Sequence, residues 1–201
     1  MKNKGRIWIL SGLLLIAAAF LLTGYNIYDE YRAKCSARQA LDEIRIEEQD
    51  EEEQEDEPEI PDYILNPDME MPVQRIDGVE YIGVLQIPSL NLELPVISIL
   101  SPPSLKIAPC RYEGSAYKDN LIIAAHNYVS FFGNLSKLQA GDPVLFKDVD
   151  GNEFSYEVAE MEVLQGVAVD EMMSGDWDLT LFTCTLSGQS RTTIRCLRMN
   201  I

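Results

Sequence analysis

Three side chains in the second half of the chain have types and positions that suit nucleophilic chemistry. His126 follows the apolar run 121–125 and is the only histidine in the sequence. Histidine is the side chain whose ordinary pKa lies closest to neutrality. Cys184 ends a second run that begins at residue 179, and Arg191 opens the next one. These residue types predict a thiolate nucleophile, an acid/base and a fixed cation that binds a developing oxyanion.

Each of these residues also has an ordinary structural explanation. A lone histidine can be packed, and a cysteine can be a small buried side chain or half of a disulfide. Cys184 and Cys196 lie on neighbouring strands if the last two runs form a hairpin, so a disulfide between them is an open alternative. Strand alternation places Arg191 and Arg195 on one face, towards a groove, which makes Arg195 a competitor for the cation role.

Short apolar runs separated by turn residues predict the element pattern of the second half. The predicted strands are 81–87, 92–97, 120–126, 143–147, 153–164, 178–184 and 191–199. Asp150-Gly151 between two of them is typical of a hairpin turn, and short helices are predicted at 134–139 and 102–107. Seven or eight short strands with so little helix indicate an all-β domain, a closed or nearly closed β-barrel.

The N-terminal segment predicts a membrane anchor. Basic residues in 1–6 precede an uncharged run, Ile7 to Thr23, whose helix would be roughly 26 Å long. Trp8 and Tyr25 suit the two interfaces, which gives a predicted transmembrane helix over 7–25 with a cytoplasmic N-terminus and an extracellular remainder. A cleaved signal peptide is the alternative, but no small-residue cleavage site follows the run.

Charge divides the rest of the chain. Residues 26–46 have helical spacing and predict a helical stalk, and residues 47–72 predict an acidic, proline-containing linker before a domain at 73–201. The net charge of −17 comes mostly from the linker region. An acidic chain without a basic face argues against a nucleic-acid partner.

Four motifs in the right order carry a resemblance to a known family. The sequence TLFTC at 180–184, followed by an arginine at 191, resembles the TLxTC signature of sortases. The segment 81–96 is similar to the opening strands of the sortase barrel, and Ala125-His126-Asn127 with the later Phe-Gly-Asn-Leu segment is similar to the family's histidine region. The resemblance covers 80–201 and implies an eight-stranded β-barrel.

The resemblance also implies an activity. Sortases are membrane-anchored cysteine transpeptidases, mainly of Gram-positive bacteria, that cut an LPxTG-like sorting signal in secreted proteins. Cys184 would form a thioacyl enzyme, His126 would act as acid and base, and Arg191 would hold the substrate and the oxyanion. The acceptor would be a cell-wall precursor amine or, in the pilin-polymerising alternative, a pilin lysine.

Further expectations concern substrate binding, cofactors and the alternatives to a sortase. Predicted substrate-binding residues are Asn127, Tyr128, Thr183 and Arg195. No cofactor is expected, although an oxygen-rich turn at 148–153 leaves calcium as an alternative. A non-catalytic β-domain displayed at the surface is the non-enzyme alternative. The histidine lies far upstream of the cysteine, which disfavours L,D-transpeptidases, and it precedes the cysteine, which disfavours papain-type enzymes.

Overall fold

The computed structural model describes residues 2–52 and 60–199, and it begins with one long helix. Helix α1 covers Lys2–Glu52. Its apolar first half has exposed side chains, and the part of the helix that is long and apolar enough to cross a membrane lies within Trp8–Arg45, with a mean hydropathy of 2.0. Length and composition therefore agree with the predicted apolar anchor segment.

A barrel of β-strands forms the rest of the described chain. The strands are β1 Gln74–Ile76, β2 Val79–Ile87, β3 Leu92–Ile97, β4 Cys110–Glu113, β5 Leu121–Ala125, β6 Pro143–Asp148, β7 Glu153–Gln165, β8 Leu179–Cys184 and β9 Ser190–Arg198. Two short α-helices accompany them, α2 Asp62–Leu65 and α3 Val169–Met173. Single 3-10 turns lie at Pro88–Leu90, Ser104–Lys106, Ala116–Lys118 and Leu135–Lys137.

The strand order closes eight of these strands into a barrel. The sheet runs β1-β2-β3-β4-β5-β8-β9-β7-β6, and β2 also pairs with β6, so that β2 to β9 form a closed ring with β1 as an added edge strand. Closure removes the free edges that a sheet would otherwise expose. The prediction of an eight-stranded, mainly β barrel is confirmed.

Aromatic side chains fill the barrel interior. Phe131, Phe132, Phe146, Phe154 and Tyr156 are all fully buried. Phe146 and Phe154 face each other across the β6–β7 pair, and the predicted Asp-Gly turn connects these strands, with Gly151 at φ 82°. These side chains belong to the close-packed hydrophobic core of the domain.

Helix α1 does not stand free beyond its apolar segment. Ala33, Ala37, Ala40, Leu41 and Ile44 recur on one helical face, and all five are buried. This face contacts β3 and β1 of the barrel. The predicted helical segment 26–46 is therefore docked on the barrel, because its small and apolar residues supply a face that packs closely on the sheet.

The described parts of the predicted linker are folded. Helix α1 continues to Glu52, and the portion 53–59 lies outside the described residues. Beyond it, Tyr63 of α2 stacks on Tyr117 with ring centroids 4.7 Å apart, and Met71 is buried. The prediction of an extended linker up to residue 72 is wrong for this last part, because its apolar side chains pack on the barrel.

Candidate active site

Three adjacent strands bring the candidate residues to one end of the barrel. Strands β5 and β8 are parallel, and Ala125 lies opposite Thr183. The next residues along the two strands, His126 and Cys184, are therefore neighbours. Strands β8 and β9 are antiparallel with Cys184 opposite Arg191. The register therefore places His126, Cys184 and Arg191 in a row across three strands.

All three residues line one cleft of about 240 Å³. Its floor and walls are mostly apolar: Leu100, Leu105, Tyr112, Ala124, Phe182, Ala168, Val169 and Met172. Phe182 precedes Cys184 by two positions and so shares its strand face, and its ring meets the edge of Tyr112 at 5.3 Å between centroids. An apolar cleft with a few polar groups is the usual form of a ligand-binding site.

Cys184 carries a free thiol at the mouth of the cleft. All four cysteines are free, and Cys184 is partly exposed whereas Cys196 is fully buried. Cys196 lies opposite Leu179 at the far end of β8, so the alternative of a Cys184–Cys196 disulfide is wrong. The strand register separates the two residues by most of the hairpin's length.

Thr183 lies on the opposite face of β8 from the cysteine. It is buried, and its Oγ1 donates a hydrogen bond of 2.8 Å to the carbonyl of Ala125. The placement of Thr183 in the groove is wrong, since strand alternation turns it away from the cleft. Its hydrogen bond instead joins β5 and β8 directly beneath His126 and Cys184.

His126 is partly buried in the loop that leaves β5. Burial is the main cause that lowers its pKa below the ordinary 6.5; the negative charge of Asp29 opposes the shift and the positive charge of Lys106 adds to it. The ring of Tyr128 lies 5.0 Å from the imidazole, centroid to centroid. The neutral imidazole is thus the favoured form near pH 7.

The loop after His126 turns back on itself. The backbone N–H of Phe132 donates to the carbonyl of His126 at 3.3 Å. Asn127 lies in this loop, outside the residues that line the cleft. At Gly133 an added Cβ would lie 2.6 Å from the Asn127 carbonyl oxygen, so this return requires a residue without a side chain.

Arg191 lines the cleft and is held by its own hairpin. Its Nη1 donates to the carbonyls of Gly188 and Ser190, each at 3.0 Å. A Cβ at Gly166 would come within 3.3 Å of the same nitrogen. These contacts hold the guanidinium, a permanently charged donor, against the cleft that it lines.

Arg195 is on the strand face predicted for it but is not in the groove. Only 2% of it is exposed, and its Nε donates to Glu162 at 2.7 Å. Its terminal nitrogens donate to the carbonyls of Glu171 and Met172 and to Thr180 Oγ1. Helix α3 covers this side chain. The prediction that Arg195 is a groove residue is therefore wrong, and the residue lies beneath the wall of the groove.

In the oxygen-rich turn at 148–153, hydrogen bonds occupy the carboxylate of Asp148. Asp148 is buried and accepts hydrogen bonds from Tyr117 Oη, from the backbone N–H groups of Asp150 and Asn152, and from the Asn152 amide. Among the described residues, no group of three or more His, Cys, Asp or Glu side chains lies close enough to hold a metal ion. The carboxylate closes the hairpin.

The barrel places a free cysteine, a histidine and an arginine at adjoining strand ends, and comparison with known proteins gives the family. A family model described as the sortase domain matches residues 85–198, more than half of the chain. The chain belongs to the sortase family, whose members are cysteine transpeptidases.

Known relatives agree with this assignment. Sortase A of Bacillus anthracis is 28% identical over 196 residues, covering 90% of this chain and 89% of the relative. Sortase A from Corynebacterium diphtheriae has a similar fold (TM-score 0.54, 21% identity), with 61% of this chain and 62% of that chain covered. Sortase C1 from Streptococcus agalactiae gives a TM-score of 0.55 at 24% identity, covering 63% and 72%. The resemblance to sortases is confirmed.

Sequence reasoning missed two features of the site. The wall formed by α3 is only five residues long, too short for a periodic signal, although Val169 and Met172 are spaced by three. The second feature is Asp29, which contacts the His126 loop from α1. No local pattern connects residues that are about a hundred positions apart.

Proposed function

We propose that this protein is a sorting-signal transpeptidase that joins secreted proteins to an amine of the cell wall. The observation that carries the proposal is the row His126–Cys184–Arg191 at the mouth of a cleft with an apolar floor. The substrate is a protein with an LPxTG-like sorting signal, whose apolar side chains enter the cleft while the Thr–Gly bond lies at its mouth.

The proposed reaction has two halves. The Cys184 thiolate attacks the threonine carbonyl, Arg191 stabilises the oxyanion, and the imidazolium of His126 protonates the leaving glycine amine. The acceptor amine then attacks the thioester, His126 takes its proton, and the thiolate leaves as the new amide forms. Nucleophile, acid/base and cation all belong to this chain, so the proposed reaction requires no cofactor.

The electrostatics of His126 bear on the rate. Since burial lowers the pKa of His126, the imidazolium is a minor form at neutral pH. Only molecules that hold a thiolate and an imidazolium together are competent for the first half of the reaction. The proposal therefore includes slow turnover.

The proposed location is the cell membrane, with the N-terminus in the cytoplasm and the barrel outside. The apolar segment to Tyr25 lacks charges and its side chains are exposed, whereas α1 contacts the barrel from Asp29 onward. Asp29 is four positions after Tyr25, which is roughly 6 Å along the helix axis. The cleft would then lie near the membrane surface, where membrane-held substrates and lipid-linked acceptors are present.

The acceptor is proposed to be a cell-wall precursor amine, with a pilin lysine as the alternative. The relative that the chain covers almost fully is a sortase A. Pilin sortases among the structural neighbours share the fold at identities below 25%, which does not transfer their acceptor.

Intact-mass analysis of the full-length chain in detergent micelles tests the proposal. The wild type is incubated with a panel of LPxTG-like peptides, and we expect a mass increase equal to the acyl fragment that hydroxylamine removes. Cys35→Ala is the matched control, because Cys35 is exposed on α1 away from the cleft, and it keeps the adduct. Cys184→Ala loses it. An adduct that survives in Cys184→Ala, or no adduct with any peptide, contradicts the proposal.

A further inference from the structure

Helix α1 contacts the loop that carries His126. Asp29 accepts a hydrogen bond of 2.6 Å from the hydroxyl of Tyr128, and Glu30 accepts one of 3.2 Å from the backbone N–H of Ser130. The Asp29 side chain is only 14% exposed in this contact. Two successive acidic residues of the helix therefore hold two nearby positions of one loop.

Tyr128 connects this contact to the imidazole. Its ring centroid lies 5.0 Å from that of His126 and 5.7 Å from that of the buried Phe131. Burial, together with the hydrogen bond to Asp29, raises the pKa of Tyr128, so the phenol stays protonated and remains the donor. The ring that flanks His126 is thus fixed at its far end by the helix.

We propose that Asp29 is a positioning residue for His126, so that the docked anchor helix completes the active site of the barrel. Asp29 acts through Tyr128, which it holds against the imidazole, and through its negative charge, which favours the imidazolium needed to protonate the leaving amine. This inference rests on the acid/base role proposed for His126. It gives α1 a part in the chemistry in addition to anchoring.

The charges around His126 determine the direction of the effect. Asp29 on α1 and Lys106 before β4 act on it through their charges, Tyr128 lies beside it on its own loop, and Cys184 on β8 and Arg191 on β9 line the same cleft. Glu30 and Arg32, also on α1, contact Ser130 and Asp29 respectively. Asp29 raises the pKa of His126, whereas burial and Lys106 lower it. Removing the carboxylate therefore leaves the lowering contributions unopposed, and the imidazolium fraction falls.

The test uses the full-length protein in detergent micelles with ¹³C-labelled histidine. Because the sequence contains one histidine, a single ring resonance reports the titration. Asp29→Asn keeps an acceptor for Tyr128 but removes the charge, and we expect a lower pKa of His126 and a two- to fivefold lower kcat/KM at pH 7.5, the usual size of a surface charge interaction. Tyr128→Phe keeps the charge but loses the hydrogen bond, and we expect a lower kcat without a lower His126 pKa.

Arg45→Gln is the matched control. Arg45 lies on the same helix and pairs with Glu93 of β3, so its loss also removes a charged helix–barrel contact, away from the cleft. An unchanged His126 pKa in Asp29→Asn, or an equal change in Arg45→Gln, overturns the inference. The titration does not depend on turnover, so failure of the peptide-adduct experiment would refute the proposed reaction and leave this measurement interpretable.

Discussion

Replacing Arg195 with methionine should destabilise the fold much more than it impairs the chemistry. The guanidinium is 2% exposed and donates four hydrogen bonds, to Glu162, to the carbonyls of Glu171 and Met172, and to Thr180 Oγ1. Glu162 is 32% exposed and regains water, whereas Thr180 and the Met172 carbonyl lose hydrogen bonds that are buried. Leaving buried acceptors without a partner costs about 1–3 kcal/mol each, so the loss should be about 3 kcal/mol or more in all.

Arg191→Met is the matched control, since it makes the same change four residues earlier on the same strand. Arg191 is partly exposed and its guanidinium donates to carbonyls of its own hairpin, so its loss should cost no more than about 1 kcal/mol. In thermal melts followed by circular dichroism, we expect the Tm to fall by roughly 10 °C in Arg195→Met and by no more than about 4 °C in Arg191→Met.

Thioester formation should give the opposite order. Below both melting temperatures, Arg191→Met should lose the peptide adduct on Cys184, whereas Arg195→Met should still form it, with a higher KM because α3 has lost its attachment. Equal melting temperatures for the two variants would refute the reasoning about burial. Loss of the adduct in both at a temperature where both are folded would refute the division of roles.

Two further predictions concern thiols and the barrel seam. Burial raises the pKa of Cys110 and Cys196 to about 12 each, so iodoacetamide should label only Cys35 and Cys184 in the native protein. Mass spectrometry of tryptic peptides measures the labelling, and labelling of Cys196 in the native state would contradict the prediction. At Gly83 (φ 151°) an added Cβ would lie 2.0 Å from the Lys147 carbonyl oxygen where β2 meets β6, so Gly83→Ala should cost about 3 kcal/mol or more in urea unfolding. Gly78→Ala has open space and should cost about 1–2 kcal/mol from its left-handed φ alone; equal losses would show that the seam is not tight.

Strands with clear alternation and flanking turns could be predicted from the sequence. The predicted 92–97 coincides with β3, and β5 to β9 match their predicted runs within one or two residues. Strand β4 was missed because it has four residues and pairs with β3 at a single position. The helical spacing of 26–46 was also visible, but the surface that covers its apolar face lies in the barrel.

Within the site, the order of motifs was more informative than the residue types. His126 and Cys184 are 58 positions apart in sequence, and parallel pairing of β5 with β8 makes them neighbours. The prediction that Thr183 lies in the groove was wrong, although strand alternation already places neighbouring residues such as Thr183 and Cys184 on opposite faces. Tyr128 was expected in the groove as a substrate contact, whereas the structure places it between His126 and Asp29.

The two arginines of β9 show where local reasoning ends. Arg191 and Arg195 are four positions apart on one strand, so alternation gives them the same face and cannot separate their roles. What separates them is α3, which comes from the chain between β7 and β8 and presents the carbonyls of Glu171 and Met172 to Arg195 alone. The same helix supplies Val169 and Met172 to the cleft wall. The buried Arg195 therefore supports the wall of the cleft that the partly exposed Arg191 lines. The roles of the two arginines near Cys184 are therefore better assigned from what covers each side chain than from its position along the strand.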